Sequence, residues 1–489
     1  MSPQSFPQEK KVLALALLAL AQFVVVLDAS IVNVALPSIG KDLDFAQDDL
    51  SWVVNAYTLF FGGFLLLGGR MADLLGRRRL FIAGLVLFAV ASLAGGLSTS
   101  PGMLIAARAV QGLGAALLSP AALSLVTVIF KEGAERNKAM GVWGAVAGSG
   151  GAAGVLLGGV LTEYAGWEWV LFVNTPIGIA AAFLAPRLLP ESKNEGTRNF
   201  DVAGAVTVTA GLTLLVYTLV DANDAGWLSG QTLGLGAIAL AFFAAFIGVE
   251  TRSKAPLVPF SFFRRRTITG TNVVALLVAM ALFSMFFFVS LYMQLVLGYD
   301  ALEAGLAYLP LAVGIIISAG VASGLVTRFG FKPVLTAGLV LTAIGLVWFS
   351  QVEVGGSYVG DILFPSLIAA VGLGFAFVPM TIGAVSGVAP HEAGLASGLI
   401  NTSQQVGGAL GLAILASIAN SKTDSLMQSA GGDPAALPNA LTQGFQLAFL
   451  VGAGFAVLGA VLSMTLISSR ESRAHAEAAR AGEVAPAVV

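Results

Sequence analysis

The sequence predicts an all-α integral membrane protein: fourteen transmembrane helices, set as two pseudo-symmetric six-helix bundles with two further helices inserted between them. Three observations predict it. Of 489 residues, 57% are apolar and only 11% are charged, and the mean hydropathy is +0.88, whereas a soluble domain carries about 25% charge. Apolar stretches of the roughly 20 residues needed to cross a hydrocarbon core recur along the chain. Lysines and arginines gather in alternate connections, the asymmetry that orients membrane helices.

The first stretch, 12–39, follows Lys10 and Lys11 as a signal sequence would. It exceeds the ~7–15 apolar residues of a signal core and reads as an uncleaved span. Spans two and three, 50–69 and 80–98, flank an arginine-rich loop, and span four, 102–129, opens after Pro101. Span five, 139–161, is rich in glycine, as packed membrane helices are, and span six covers 169–189. Spans seven and eight, 202–220 and 231–249, are the inserted pair, bounded by the polar linkers Pro190 to Asn199 and Thr251 to Arg266. Six more follow at 268–296, 303–327, 333–350, 360–386, 394–419 and 443–468, with a polar segment from Asn420 to Thr442. The expected divisions are 1–189, 190–266, 267–469 and a tail, 470–489.

With the N-terminus inside, the inner connections hold every one of the 25 lysines and arginines except Lys41 and Lys422, outside, and Arg108, within a span. A missed or invented helix would scramble this pattern. Internal repeats support the two halves. Ala139-Met140-Gly141 with Gly150, Gly151 and Gly154 returns as Ala396-Ser397-Gly398 with Gly407, Gly408 and Gly411. Gly112-Leu113-Gly114 returns as Gly372-Leu373-Gly374, which aligns Arg108 with Ile368, and Gly76 with Arg78 returns as Gly330 with Lys332.

Several function classes are excluded. No cysteine and only His391 and His475 leave no disulfide framework, thiol nucleophile or His/Cys metal cluster. There is no phosphate loop, G-x-S-x-G elbow or H-E-x-x-H pair, so neither an ATP-driven machine nor a membrane hydrolase is expected, and no cofactor. No basic stripe offers a phosphate-binding face, which sets nucleic acid aside.

Asp28 and Arg108 are the two charges well inside predicted spans. Ionisable groups at membrane depth are costly and usually functional. Asp28 has small neighbours on its face, Ala21, Val24, Val32 and Ala35, and a carboxyl alternating between dry and wet surroundings can take up and release a proton. Arg108 stays charged, so its expected work is to tune that carboxylate or to orient water. The plain alternatives are a permanent structural ion pair, or an arginine reaching for the interface. The loop Gly69, Arg70, Asp73, Gly76, Arg77, Arg78, Arg79 exceeds what charge asymmetry requires. Its glycines allow a tight turn, and Asp73 can hold an arginine or a helix N-terminus in one state and release it in another, as a gate would. In span five, Gly150, Gly154 and Gly158, with Gly159, predict a close helix contact able to bend or slide. In span nine, Met280, Phe283, Phe287, Ser290 and Gln294 share a face suited to a bulky apolar solute, or to lipid. Asn33, Asn55, Tyr57 and Gln111 complete the candidate substrate surface.

These residues match a family. Gly69 to Arg79 resembles the major facilitator superfamily signature between helices two and three, and Arg108 to Gly114 resembles its helix-four motif. Leu27-Asp28-Ala29-Ser30-Ile31-Val32-Asn33-Val34-Ala35-Leu36-Pro37 resembles the helix-one motif of the fourteen-helix drug:proton antiporters, and the run ending Gly154 to Gly159 resembles their helix-five antiporter motif. Two positions depart from it. Val155 stands where that motif usually has proline, and Glu168 stands where arginine is more frequent between Trp167 and Trp169. The resemblance implies a major facilitator fold in the inner (cytoplasmic) membrane with both termini cytoplasmic. It implies export of small hydrophobic, often cationic drugs in exchange for protons, coupled through Asp28 and Arg108. The expected state is a monomer in contact with lipid and with no nucleic acid. Rival readings are an exporter dedicated to one metabolite, antibiotic or lipid, and a membrane sensor or scaffold that transports nothing.

Overall fold

A computed structural model describes residues 8–45, 50, 52–192, 201–253, 256, 258–389 and 392–481. Lys193, Arg198, Lys254 and His391, parts of both expected linkers and the tail from 482 on lie outside the described residues. Among those described, the regular structure is helical. In order the helices are α1 (Gln8–Asp42), α2 (Trp52–Leu75), α3 (Arg77–Gly96), α4 (Pro101–Ile129), α5 (Ala134–Tyr164), α6 (Trp169–Phe172), α7 (Asn174–Leu188), α8 (Val202–Ala225) and α9 (Gly230–Glu250). Then come α10 (Arg266–Leu291), α11 (Ala301–Ala307), α12 (Leu309–Phe329), α13 (Phe331–Phe349), α14 (Phe364–Val385), α15 (Ala393–Ser429), α16 (Leu437–Leu466) and α17 (Ser469–Ala481).

Local chemistry sets several ends. Ser100 accepts the Met103 N–H ahead of Pro101 in α4, Ser229 caps α9, and Asp300 with Glu303 forms a reciprocal capping box on α11. Gly76 (φ +111°) and Gly330 (φ +88°) reverse the chain between α2 and α3 and between α12 and α13. Only glycine adopts that backbone without strain.

Twelve helical stretches among the described residues are long and apolar enough to cross a membrane, or thirteen if the bent α5 counts as one. The segment expected as the thirteenth span forms a helix, α15, 37 residues long. The run Asn401-Thr402-Ser403-Gln404-Gln405 makes it too polar to qualify by composition alone. Spans six and ten are each divided, into α6 and α7 and into α11 and α12.

In the first half α1 packs on α5, and α4 packs on α2 and α3; in the second, α10 packs on α15, and α14 packs on α12 and α13. The halves meet where α5 faces α12 and α14, and where α15 faces α2 and α4. The inserted α8 and α9 pair with each other, and α8 leans on α2 and α15. The repeat is therefore real in packing, but one register shifts. A Cβ on Gly114 would press on Phe88 N and Gly84 O, and one on Gly372 on Thr342 and Gly338 O. By these partners Gly114 matches Gly372, so Ser366 rather than Ile368 stands where Arg108 does. A Gly-x-Gly pair aligns with itself two residues out of step, and only the helix packed against it fixes which glycine is which.

Candidate functional site: an ion pair buried among four helices

Asp28 on α1 and Arg108 on α4 are both 0% exposed. Arg108 Nη1 donates to Asp28 Oδ2 at 2.6 Å and to Gln111 Oε1 at 2.8 Å. Its Nε donates to the Val53 carbonyl of α2 at 2.9 Å. Gln111 lies three residues on, hence on the same helix face, and its Nε2 donates to Asp28 Oδ1 at 2.8 Å and to Ser92 Oγ of α3 at 3.0 Å. Asn174, the first residue of α7, donates through Nδ2 to Asp28 Oδ1 at 2.7 Å and to Ser92 Oγ at 3.1 Å. The Ser92 hydroxyl donates to the Leu171 carbonyl of α6 at 2.9 Å. The Tyr57 ring lies beneath Arg108, 4.4 Å from its guanidinium carbon, and its hydroxyl donates to Val25 O at 3.2 Å. Within this cluster two buried atoms have no hydrogen-bond partner, Arg108 Nη2 and Asn174 Oδ1.

Gln111 and Tyr57, expected on a substrate surface, thus belong to the ion pair's own shell. Ser92 and Asn174 were missed, since a serine and an asparagine carry no charge to draw attention within an apolar stretch. The signal present was Asn174 itself, an amide with strong hydrogen-bonding demand at a helix start.

At the arginine-rich end of the bundle, Asp73 is buried and accepts from Arg77 Nη2 at 2.6 Å and Nε at 3.2 Å. It also accepts the backbone N–H groups of Gly394 (3.0 Å) and Leu395 (3.1 Å). Those groups open α15 in the other half, so the carboxylate caps an N-terminus whose first N–H groups lack partners within the helix. Gly69 makes room for this, because a Cβ there would meet the Gly394 carbonyl and Gly398. Arg77 also donates to Ser192 Oγ at 3.0 Å, Arg78 to Leu189 O at 3.1 Å, and Arg70 to Pro256 O at 3.5 Å. A second tie lies nearby. Asn137 of α5 donates to Thr327 Oγ1 of α12 at 2.9 Å and meets His475 Nε2 of α17 at 3.0 Å.

The α5 glycines sit on the helix that carries Asp28. A Cβ on Gly150 would meet Val26 at 2.7 Å, on Gly154 Ser30 Cβ at 2.7 Å and the Leu27 carbonyl at 2.8 Å, and on Gly158 the Ile31 carbonyl at 2.7 Å. Gly159 is buried beside them. The two segments of α5 meet at 44° near residue 152, so the bend exists with Val155 in place of proline.

The remaining candidates are dispersed. Met280 is buried, with the α15 glycine Gly411 against its backbone. Phe283 packs on Gly408 and stays 42% exposed, and Phe287 stays 41% exposed. Asn33 is exposed, with Nδ2 on Ala29 O; Asn55 is half-buried; Gln294 is exposed and donates to Ser290. Phe286, unforeseen, reaches across the halves towards Gly151 and stacks on Tyr308, ring centres 5.4 Å apart.

The family model described as Major Facilitator Superfamily matches residues 18–412. The chain belongs to the Major Facilitator Superfamily. This facilitator is 39% identical to the puromycin resistance protein pur8 of Streptomyces alboniger, over 96% of its own length and 93% of that protein's. It is 44% identical to the cephamycin export protein CmcT of Amycolatopsis lactamdurans, over 84% and 85% of the two chains. A multidrug resistance protein, Stp, of Mycobacterium tuberculosis (strain H37Rv) is 34% identical over 83% of this chain and 76% of its own. In fold the facilitator is similar to the human organic anion transporter MFSD10 (TM-score 0.66, 15% identity, 94% of this chain and 100% of that one). It is equally similar to the proton:xylose symporter XylE (TM-score 0.66, 13% identity, 95% and 97%). The facilitator is a membrane transporter and not an enzyme.

Proposed function

We propose that this transporter exports hydrophobic, often cationic drugs or toxic compounds in exchange for protons, by alternating access between its two halves. The observation that carries the reading is Asp28, a carboxyl with no exposed surface, held by Arg108, Gln111 and Asn174 from two other helices. A proton arriving there cancels the charge that Arg108 holds. The α5 glycine seam lies on α1 at Val26 to Ile31, around Asp28, so a shift of α1 on protonation is passed directly to α5, which faces α12 and α14 of the other half. Asp73 on the α15 N-terminus is the latch of the arginine-rich end. By charge asymmetry we assign that end, with both termini, to the cytoplasm. We read the chain as fourteen spans, α15 being the thirteenth and α16 the fourteenth in chain order, and as a monomer in the cytoplasmic membrane.

The test is proton release from acid-loaded inverted vesicles on adding ethidium, with the native chain and with Asp28→Asn. Release from the native chain alone supports drug:proton exchange through Asp28. Silence from both across a panel of hydrophobic cations rejects the multidrug reading. The second reading, an exporter dedicated to one antibiotic, is favoured by two relatives named for single compounds, puromycin and cephamycin. Flux of one compound class alone would establish it.

A further inference from the structure

The Asp28 carboxylate is surrounded by donors. Oδ1 accepts from Gln111 Nε2 at 2.8 Å and Asn174 Nδ2 at 2.7 Å, and Oδ2 accepts from Arg108 Nη1 at 2.6 Å. A carboxylic acid has a different need, because one oxygen becomes an O–H donor and requires an acceptor. Among the side chains hydrogen-bonded to the carboxylate or to its amide donors, three offer an acceptor. Gln111 Oε1 is engaged by Arg108 Nη1 at 2.8 Å, and turning that amide would set its NH2 against the guanidinium, donor to donor. Ser92 Oγ already receives two amide N–H groups and gives its own proton to Leu171 O. Asn174 Oδ1 is buried and has no partner, so moving it breaks no bond of its own; the bonds given up are those of Nδ2 to Asp28 and Ser92.

A half-turn about the terminal torsion of asparagine exchanges its oxygen and nitrogen almost in place. It would bring Asn174 Oδ1 to the position that Nδ2 now holds beside Asp28 Oδ1. Facing a carboxylate, that orientation sets oxygen against oxygen with no proton between. Facing the acid, it supplies the missing acceptor, and a buried polar group left unmet is costly.

We propose that Asn174 is a proton-responsive positioning residue whose amide donates to the Asp28 carboxylate and turns over to accept from the Asp28 acid. The proposal rests on the reading of Asp28 as the proton carrier and deepens it. After the turn, Ser92 Oγ faces an amide oxygen. Its hydroxyl then swings from Leu171 O to Asn174 Oδ1, which breaks the hydrogen bond between α3 and α6. Protonation of Asp28 is thereby transmitted to the junction of α6 and α7.

The experiment is acid-minus-neutral infrared difference spectroscopy on the full-length protein in lipid, carrying asparagine labelled with ¹³C at the side-chain carbonyl. Bands lost in Asp28→Asn belong to the Asp28 carboxylate and acid. The switch expects an asparagine amide band that shifts with the same midpoint as the Asp28 bands and vanishes from the difference spectrum in Asp28→Asn. It also expects Asn174→Leu to move the acid band as well as the carboxylate band, and to cut drug-driven proton release at least tenfold, with partial recovery in Asn174→Thr, whose hydroxyl both donates and accepts. An Asp28 pair accompanied by a silent amide, or an acid band that Asn174→Leu leaves in place, overturns the switch while leaving Asp28 as the carrier. Native spectra without Asp28 bands overturn both. The labelled native and Asp28→Asn proteins decide the matter even where Asn174→Leu does not fold.

Discussion

Asp28 and Arg108 are tolerable inside a bundle because each satisfies the other and nearly every remaining polar atom finds a partner on α2, α4 or α7. Removing one member of a buried pair leaves an uncompensated charge and costs about 3–5 kcal/mol. Arg108→Leu should therefore lower the thermal unfolding midpoint sharply in detergent, while Asp28→Asn, which keeps an oxygen for Arg108, lowers it much less. Equal losses would argue against a paired charge. The pair was legible in the sequence, since charge within an apolar run is conspicuous. Ser92, Asn174 and the role of Tyr57 were not, because which neutral polar groups surround a charge depends on how separate helices pack.

In the proposed cycle single helices are the moving parts. The α5 glycines leave no space against α1, so Gly154→Val should strain the seam by about 1–3 kcal/mol and abolish exchange while the protein still inserts. Wild-type flux in that variant would remove the seam from the mechanism. Asp73 makes two charge-assisted hydrogen bonds to the start of α15, each worth about 1.5–3 kcal/mol. Because the chain has no cysteine, a thiol placed at buried Ser397 reports opening there, and Asp73→Ala should speed its labelling about tenfold or more. An unchanged rate would show that other contacts hold that end shut. In the same proposed cycle α17 is a further clamp, since His475 on it touches Asn137 of the first half and Phe331 of the second. Burial, then the nearby Arg136 charge, lowers the His475 pKa to about 4. The Glu132 carboxyl, 4.0 Å from its Nδ1, is itself raised by burial. Released, the imidazole returns to about 6.5, so the undocked form binds the proton more readily. Docking is at full strength above about pH 6.5 and weakens as pH falls towards 4, by up to about 3 kcal/mol. Proteolysis of α17 should rise over that window in the native chain, and His475→Phe should flatten the dependence.

Taken whole, the molecule is two matched bundles whose meeting surfaces carry the proposed mechanism. Its spans can be counted experimentally. With fourteen spans, single cysteines at Ser192 and Ser253 should label from the same side of the membrane, and one at Asn439 from the other; any other pattern changes the count. Span positions, the pairing of halves and the basic loops were determined by the sequence, because the bilayer imposes a length and a polarity on every helix. The α5 contact was determined too, since glycines four apart have one steric use, although the angle of its bend was not. What only the tertiary structure decided was which residues meet. The repeat register between α4 and α14 needed the helices packed on them, and a polar α15 was kept in the bundle by its neighbours rather than by its own hydropathy. Asn174 reached Asp28 from 146 residues away. Hydropathy and spacing are properties of a segment, whereas a hydrogen-bond partner at that separation exists only after the helices have packed.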